Sequence, residues 1–164
     1  MTVKAKPKAT NHARAAQFPG GLDAVCFALG RAYYNYLGLL ERVLAVSGLD
    51  RYVRPGMGHI LFALFEQDDR VIKDIVARSQ LSYSTLSGLL ARMEKAGLIA
   101  CRRDETDGRA VRVCLTPLAR SLEPRCHAAV RRINEVMLGK MSEAEIAQAQ
   151  QLLARMIDAM RLTL

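Results

Sequence analysis

Tryptophan is absent from this 164-residue chain, and aromatic residues make up only 5% of it. That argues against a single-strand nucleic-acid binder, which stacks bases on aromatic platforms. No apolar run approaches the ~20 residues that a membrane helix needs. The N-terminus, Met1 to Gln17, lacks the apolar core of a signal peptide, so a cytoplasmic protein is expected. Four cysteines are present, Cys26, Cys101, Cys114 and Cys126, with no CxxC pair and no regular framework. Reduced thiols are therefore the expectation. There is no phosphate loop, no nucleophile–base pair in motif context and no metal motif. Neither an enzyme nor a bound cofactor or metal is expected.

Charge and apolar periodicity are what the chain has in quantity. Lys and Arg total 24 against 16 Asp and Glu, a net charge of +8 with a pI near 9.7. Such a balance calls for a polyanionic partner, nucleic acid before an acidic membrane. Hydrophobic residues reach 51%, enough for one domain with a real core. Residues 1–19 read as a basic disordered arm, because Lys4, Lys6, Lys8 and Arg14 precede the first acid, Asp23. Phosphate contacts and a plain solvated tail both suit that arm.

Three- and four-residue steps run through Leu22, Val25, Cys26, Leu29, Tyr33, Tyr36, Leu37, Leu40, Val43 and Leu44. They predict a long helix with one apolar stripe, stopped by Ser47-Gly48. A stripe so long needs a cover, and a partner subunit would supply one. A second helix carries Ile60, Leu61, Leu64 and Phe65 and ends in the acids Glu66, Asp68 and Asp69. Two shorter helices follow, over Val71 to Arg78 and over Ser82 to Ala96. Ser79-Gln80-Leu81 forms a tight connection between them, Ser82 is the cap and Gly97 the stop.

Beyond Gly97 the period changes to alternation. Leu98 to Arg103 and Ala110 to Leu115, joined by a loop containing Asp107-Gly108, predict a β-hairpin. Thr116-Pro117 starts a further helix, which Pro124 is expected to kink or break. Ser142 to Glu145 fits a capping box opening a last helix, with Ile146, Ala149, Leu153, Met156, Ile157 and Met160 on its apolar face.

Helix, tight turn, helix and hairpin is the winged helix-turn-helix order, so the fold expected is mostly α with a small β-hairpin wing. The second helix of such a pair fits the duplex major groove, ~12 Å wide. Leu86, Leu89, Leu90 and Met93 form its inner face, leaving Ser84, Gly88, Ala91 and Lys95 outward, flanked by Ser87 and Arg92. Small, hydroxyl-bearing side chains admit a DNA backbone and bond phosphate or bases. The hairpin adds Arg102, Arg103, Arg109 and Arg112 among Asp104, Glu105 and Asp107. Asp107 is expected to hold an arginine while Arg109 projects into the groove. The candidate DNA-binding set is Ser82, Tyr83, Ser84, Thr85, Ser87, Gly88, Arg92, Arg102, Arg103, Asp107 and Arg109. The competing reading is a winged-helix protein-interaction module without DNA binding.

Three stretches resemble the MarR family of winged helix-turn-helix regulators. Leu81 to Leu86, Leu89 to Glu94 and Lys95 to Ile99 are similar to its recognition helix and first wing strand. Asp107-Gly108-Arg109 is similar to its Asp-x-Arg wing signature. Leu115 to Ala119 is similar to its Leu-Thr-x-x-Gly element, with Ala119 where the family has Gly. The resemblance implies one domain over 20–164, with dimerisation helices at 22–48 and 117–164 around a winged helix-turn-helix at 55–116. It implies a homodimer on a pseudo-palindromic double-stranded operator, and a repressor released by a small ligand or an oxidant.

The trigger has two candidates, both drawn from the resemblance. Cys26-Phe27-Ala28-Leu29 is similar to the segment that holds the reactive cysteine of organic-peroxide-sensing members. Gly30 and Leu40 stand where two tyrosines would be expected, and Cys26 lies on the apolar stripe, so a buried core cysteine is the favoured reading over a sensor. A pocket for a small aromatic or phenolic effector would draw on Tyr36 and His59, with Arg31 for a carboxylate. Cys101 and Cys114, on the two wing strands, are a further candidate redox pair. Cys126-His127, with His12 and His59, gives no convincing zinc set.

Overall fold

Local signals fix most element ends in the computed structural model, which describes residues 23–79 and 81–162. The order is α1 (Asp23–Val46), α2 (Gly58–Glu66), β1 (Arg70–Val71), α3 (Ile72–Ser79), α4 (Tyr83–Lys95), β2 (Ile99–Arg103), β3 (Val111–Leu115), α5 (Pro117–Leu138) and α6 (Glu143–Leu162). The expected basic arm at 1–19, with His12, lies outside the described residues, as do Leu22 and Gln80 of the expected turn. The chain divides between Tyr36 and Leu37, within α1, into two units that are described separately.

The first unit contributes the N-terminal half of α1. Val25, Phe27, Tyr33, Tyr34 and Tyr36 are exposed along it. Cys26 is exposed as well, which corrects the expectation of a buried core cysteine. The apolar spacing there is real, and within one chain these residues stay exposed.

The second unit holds the core. Val43, Leu44, Leu49, Ile60, Leu61, Leu64, Ile75, Leu86, Met93, Leu98 and Val113 are buried together with Ala119, Leu122, Cys126, Ala129 and Ile133 of α5. Five α5 positions thus belong to the same core as the helix pair. The stops are built as the residues demand. Gly48 (φ 61°) and Gly97 (φ 69°) take the left-handed conformation that closes α1 and α4. Leu49 N–H donates to Leu44 O at 2.8 Å, and Leu98 N–H to Met93 O at 2.9 Å, each followed by a buried leucine. The α6 start is a full capping box: Glu145 N–H donates to Ser142 Oγ (3.3 Å) and Ser142 N–H to Glu145 Oε2 (2.8 Å).

Two expectations are revised. Of the kink or break expected at Pro124, the break does not occur, and α5 is one helix from Pro117 to Leu138. The proline removes one N–H from an exposed side of the helix, leaving the Arg120 carbonyl on the solvent-facing surface where water can serve it. The sheet also has three strands, ordered β1-β3-β2, rather than two. Arg70 pairs with Val113 and Val71 with Arg112, so α3 begins one residue later than the expected helix.

Candidate nucleic-acid interface

Ser82 caps α4: its Oγ accepts from Thr85 N–H at 3.2 Å and bonds the Thr85 and Ser84 hydroxyls at 2.9 and 3.0 Å. Leu86, Leu89, Leu90 and Met93 are buried, as their spacing predicts. The remaining face is open, with Ser82, Tyr83, Ser84, Thr85, Ser87, Gly88 and Arg92 all exposed. A Cβ added at Gly88 would meet nothing within 4 Å. Packing within the chain therefore does not explain that glycine, which leaves room for another backbone to approach this face. Arg92 Nε donates to Gly88 O at 3.0 Å, which lays the guanidinium along this face.

β2 and β3 pair antiparallel, from Ile99↔Leu115 to Arg103↔Val111. Asp104 organises the connection. Its Oδ1 accepts from Thr106 N–H, Thr106 Oγ1 and Asp107 N–H at 2.8, 2.6 and 2.9 Å, and its Oδ2 from Arg112 Nη1 at 2.7 Å. The Thr106 hydroxyl, then Arg112 and the two amides, hold this carboxyl well below the usual carboxylate range. Asp107 does not hold an arginine side chain, contrary to expectation. Its Oδ1 accepts the Arg109 backbone N–H at 3.0 Å and so shapes the tip. Its side chain is short and local, so the backbone amide two residues on is the nearest donor.

Arginine holding falls to an acid outside the hairpin. Asp69 accepts from Arg102 Nη2 (2.9 Å), Arg112 Nε (2.9 Å) and Cys114 Sγ (3.0 Å), and its backbone O accepts from Arg112 Nη2. The Cys114 thiol and the Arg112 guanidinium lower the Asp69 carboxyl pKa. Asp68 supports the same corner by accepting from Leu115 N–H (2.8 Å) and from Arg120. Arg102 also faces Glu105 at 3.5 Å. Among the described residues, neither Arg103 nor Arg109 has an ion-pair partner, and both are exposed. Sequence reasoning missed Asp69, whose partners lie 33, 43 and 45 residues away. The Asp68-Asp69 pair at a helix end was the one available signal.

The remaining candidates separate. His59 lines a cavity of about 480 Å³ with Phe62, Ala63, Glu66, Ala77, Arg78 and Ser79. Arg31 and Tyr36 are not among its lining residues and stand exposed on α1. Arg78 pairs with Glu66 inside it. Cys101 pairs in register with Val113, and Cys114 with Ala100, so the two thiols project from opposite faces of the sheet. Burial raises the pKa of both thiols. Cys126 is buried while His127 is exposed, set edge-on to Phe62 at 5.0 Å.

One helix fills a major groove, and a hairpin beside it reaches the flanking backbone. A helix pair presenting α4 this way, with one unpaired arginine on β2 and another in the adjoining hairpin loop, defines a winged helix-turn-helix DNA-binding protein. Residues 55–111 match the MarR family. The chain is 29% identical over 138 residues to the HTH-type transcriptional regulator MgrA of Staphylococcus aureus, covering 84% of this chain and 90% of that one. A probable transcriptional regulator from Pseudomonas aeruginosa superposes with a TM-score of 0.72 at 28% identity, over 82% of this chain and 97% of its own. Bordetella bronchiseptica BpsR, whose DNA binding is regulated by 6-hydroxynicotinic acid, gives 0.74 at 25% identity over 87% and 99%. Residues 55–111 therefore form a MarR-type DNA-binding segment, and over most of its length the chain is similar to transcriptional regulators. Among the described residues, no helix is long and apolar enough to cross a membrane.

Proposed function

We propose that the protein works as a homodimeric repressor on a pseudo-palindromic operator, α4 reading the major groove and the wing holding flanking phosphate. The observation that carries this is the contrast within α4: every buried position is apolar, and the open face is hydroxyl-rich with no acid before Glu94. Ser82, Tyr83, Ser84, Thr85, Ser87 and Gly88 meet bases and phosphates, with Arg92, Arg103 and Arg109 supplying cations. Two symmetric subunits set their α4 helices about one helical turn apart, ~34 Å. The exposed apolar residues of α1 and α6, among them Val25, Tyr33, Leu153 and Ile157, support pairing through these helices.

Release comes from a small aromatic acid or phenol. The cavity beside His59 supports this, because it joins a phenyl ring and an imidazole, and an incoming carboxylate would compete with Glu66 for the Arg78 guanidinium next to Ser79, the last residue of α3. Selection of duplexes from a random pool tests the DNA reading, and failure to bind any duplex sinks it in favour of a protein-interaction module. Repeating the binding with aromatic acids and with peroxide separates the triggers. Loss of the aromatic-acid response in Arg78→Ala supports the cavity. A peroxide response that vanishes in Cys26→Ser assigns the trigger to exposed Cys26 instead.

A further inference from the structure

The wing carries two kinds of arginine. Arg103 and Arg109 have no ion-pair partner among the described residues, whereas Arg102 and Arg112 are both engaged. Arg102 and Arg112 stand directly opposite one another across the β2–β3 pair. Like charges in that relation repel. The carboxylate between them is Asp69, which arrives from the loop before β1 and takes one guanidinium on each oxygen, both at 2.9 Å. Asp69 sits at φ 56°, the left-handed region that few non-glycine residues adopt. Asp68 Oδ1 steadies this turn by accepting the Asp69 N–H at 2.8 Å. The arrangement resembles the way a DNA phosphate would take the same arginines, two oxygens facing two guanidinium groups.

We propose that Asp69 is a specificity-determining positioning residue, an internal stand-in for phosphate that withholds Arg102 and Arg112 from DNA and leaves Arg103 and Arg109 as the wing's contacts. The inference rests on the DNA-binding reading above. Non-specific affinity rises with each phosphate that a protein neutralises, and so does its salt dependence. A wing with four free arginines would grip any duplex. Two held back keep that sequence-blind term small relative to the bases read by α4. The same bonds tie the hairpin strands to the loop after α2, while Asp104 and Asp107 shape the loop that carries Arg109.

The test is Asp69→Asn, which keeps the side-chain size and tolerates a positive φ. Binding is measured by fluorescence anisotropy across a salt series. One duplex is selected by the parent protein, and a second has random sequence and equal length. Circular dichroism melts confirm that each variant is folded. Arg102 keeps only its long 3.5 Å contact to exposed Glu105 while Arg112 retains Asp104, so the salt slope on the random duplex steepens by about 1 per wing, near the ~0.9 expected for each phosphate neutralised. The preference for the selected duplex falls roughly tenfold, the effect of about one mismatched base pair. Adding Arg102→Ala to Asp69→Asn returns the slope to the parent value. Arg102→Ala alone leaves both affinities and both slopes unchanged. The proposal is overturned if Asp69→Asn is folded and the slopes stay as in the parent, or if Arg102→Ala alone makes the slope shallower. If the parent binds no duplex at all, the DNA reading fails first, and this inference with it.

Discussion

The inner face of α4 and the faces of α1 and α6 have the same apolar spacing and opposite fates. Leu86 and Met93 are fully buried, while Val25, Tyr33, Leu153 and Ile157 are each more than two-fifths exposed. Helical periodicity tells which side of a helix is apolar, but not whose chain covers that side. The α4 stripe is satisfied by its own chain. The terminal stripes present exposed apolar residues of a kind that monomers rarely gather. The two regions teach that a core and an interface are written identically, and that only burial separates them.

The sharpest way to break this comparison is to charge one stripe. Replacing Leu153 and Ile157 together by Asp should abolish the dimer, since each side chain forfeits ~1.5–3 kcal/mol of burial. Analytical ultracentrifugation reads the result. An unchanged mass distribution would show that the α6 face is bare in solution. Leu86→Ala should destabilise by about 2–5 kcal/mol in denaturant melts, because the core cannot close over the void. A loss below ~1 kcal/mol would mean that the α4 stripe is no better packed than the terminal ones. Thr116→Ala should cost about 1–2 kcal/mol by uncapping α5, an effect confined to a single helix end. Arg109→Ala should weaken every duplex alike and reduce the salt slope by about 1 per wing.

The smallest effect concerns pH. The Asp104 carboxyl has its pKa depressed by the Thr106 hydroxyl, by Arg112 and by backbone amides. Its contribution is therefore present above the unfolded value near ~3.9 and is lost as pH falls through the lower folded value. Hydrogen exchange at the Thr106 and Asp107 amides should stay slow at about pH 4, where ordinary aspartates are half protonated. Exchange in Asp104→Asn should be fast throughout.

Much of the lobe was readable because its signals are local. Ser82, Gly97, Thr116 and Ser142 each act within three to five residues, and each performs the capping or stopping role that its type predicts. The α4 surface followed directly from its buried stripe. The Asp69 clasp was out of reach, since Arg112 lies 43 residues downstream and only the sheet brings the two together. β1 was missed for a related reason. Two residues carry no alternation, and they form a strand because β3 offers them a partner. Pro124 misled because propensity rules assume that a lost hydrogen bond leaves a stranded carbonyl, and here the carbonyl lies on an exposed side. Cys26 misled because a place on an apolar stripe was equated with burial, and within one chain that part of the stripe is exposed.

One hydroxyl joins the two ends of the wing. Thr116 Oγ1 donates to Gly97 O at 2.6 Å while accepting the Ala119 N–H at 3.2 Å, so the last turn of α4 and the first turn of α5 are riveted at a single atom. The end of α4 and the start of α5 therefore share one fixed point, and neither can shift there without breaking one of these two bonds.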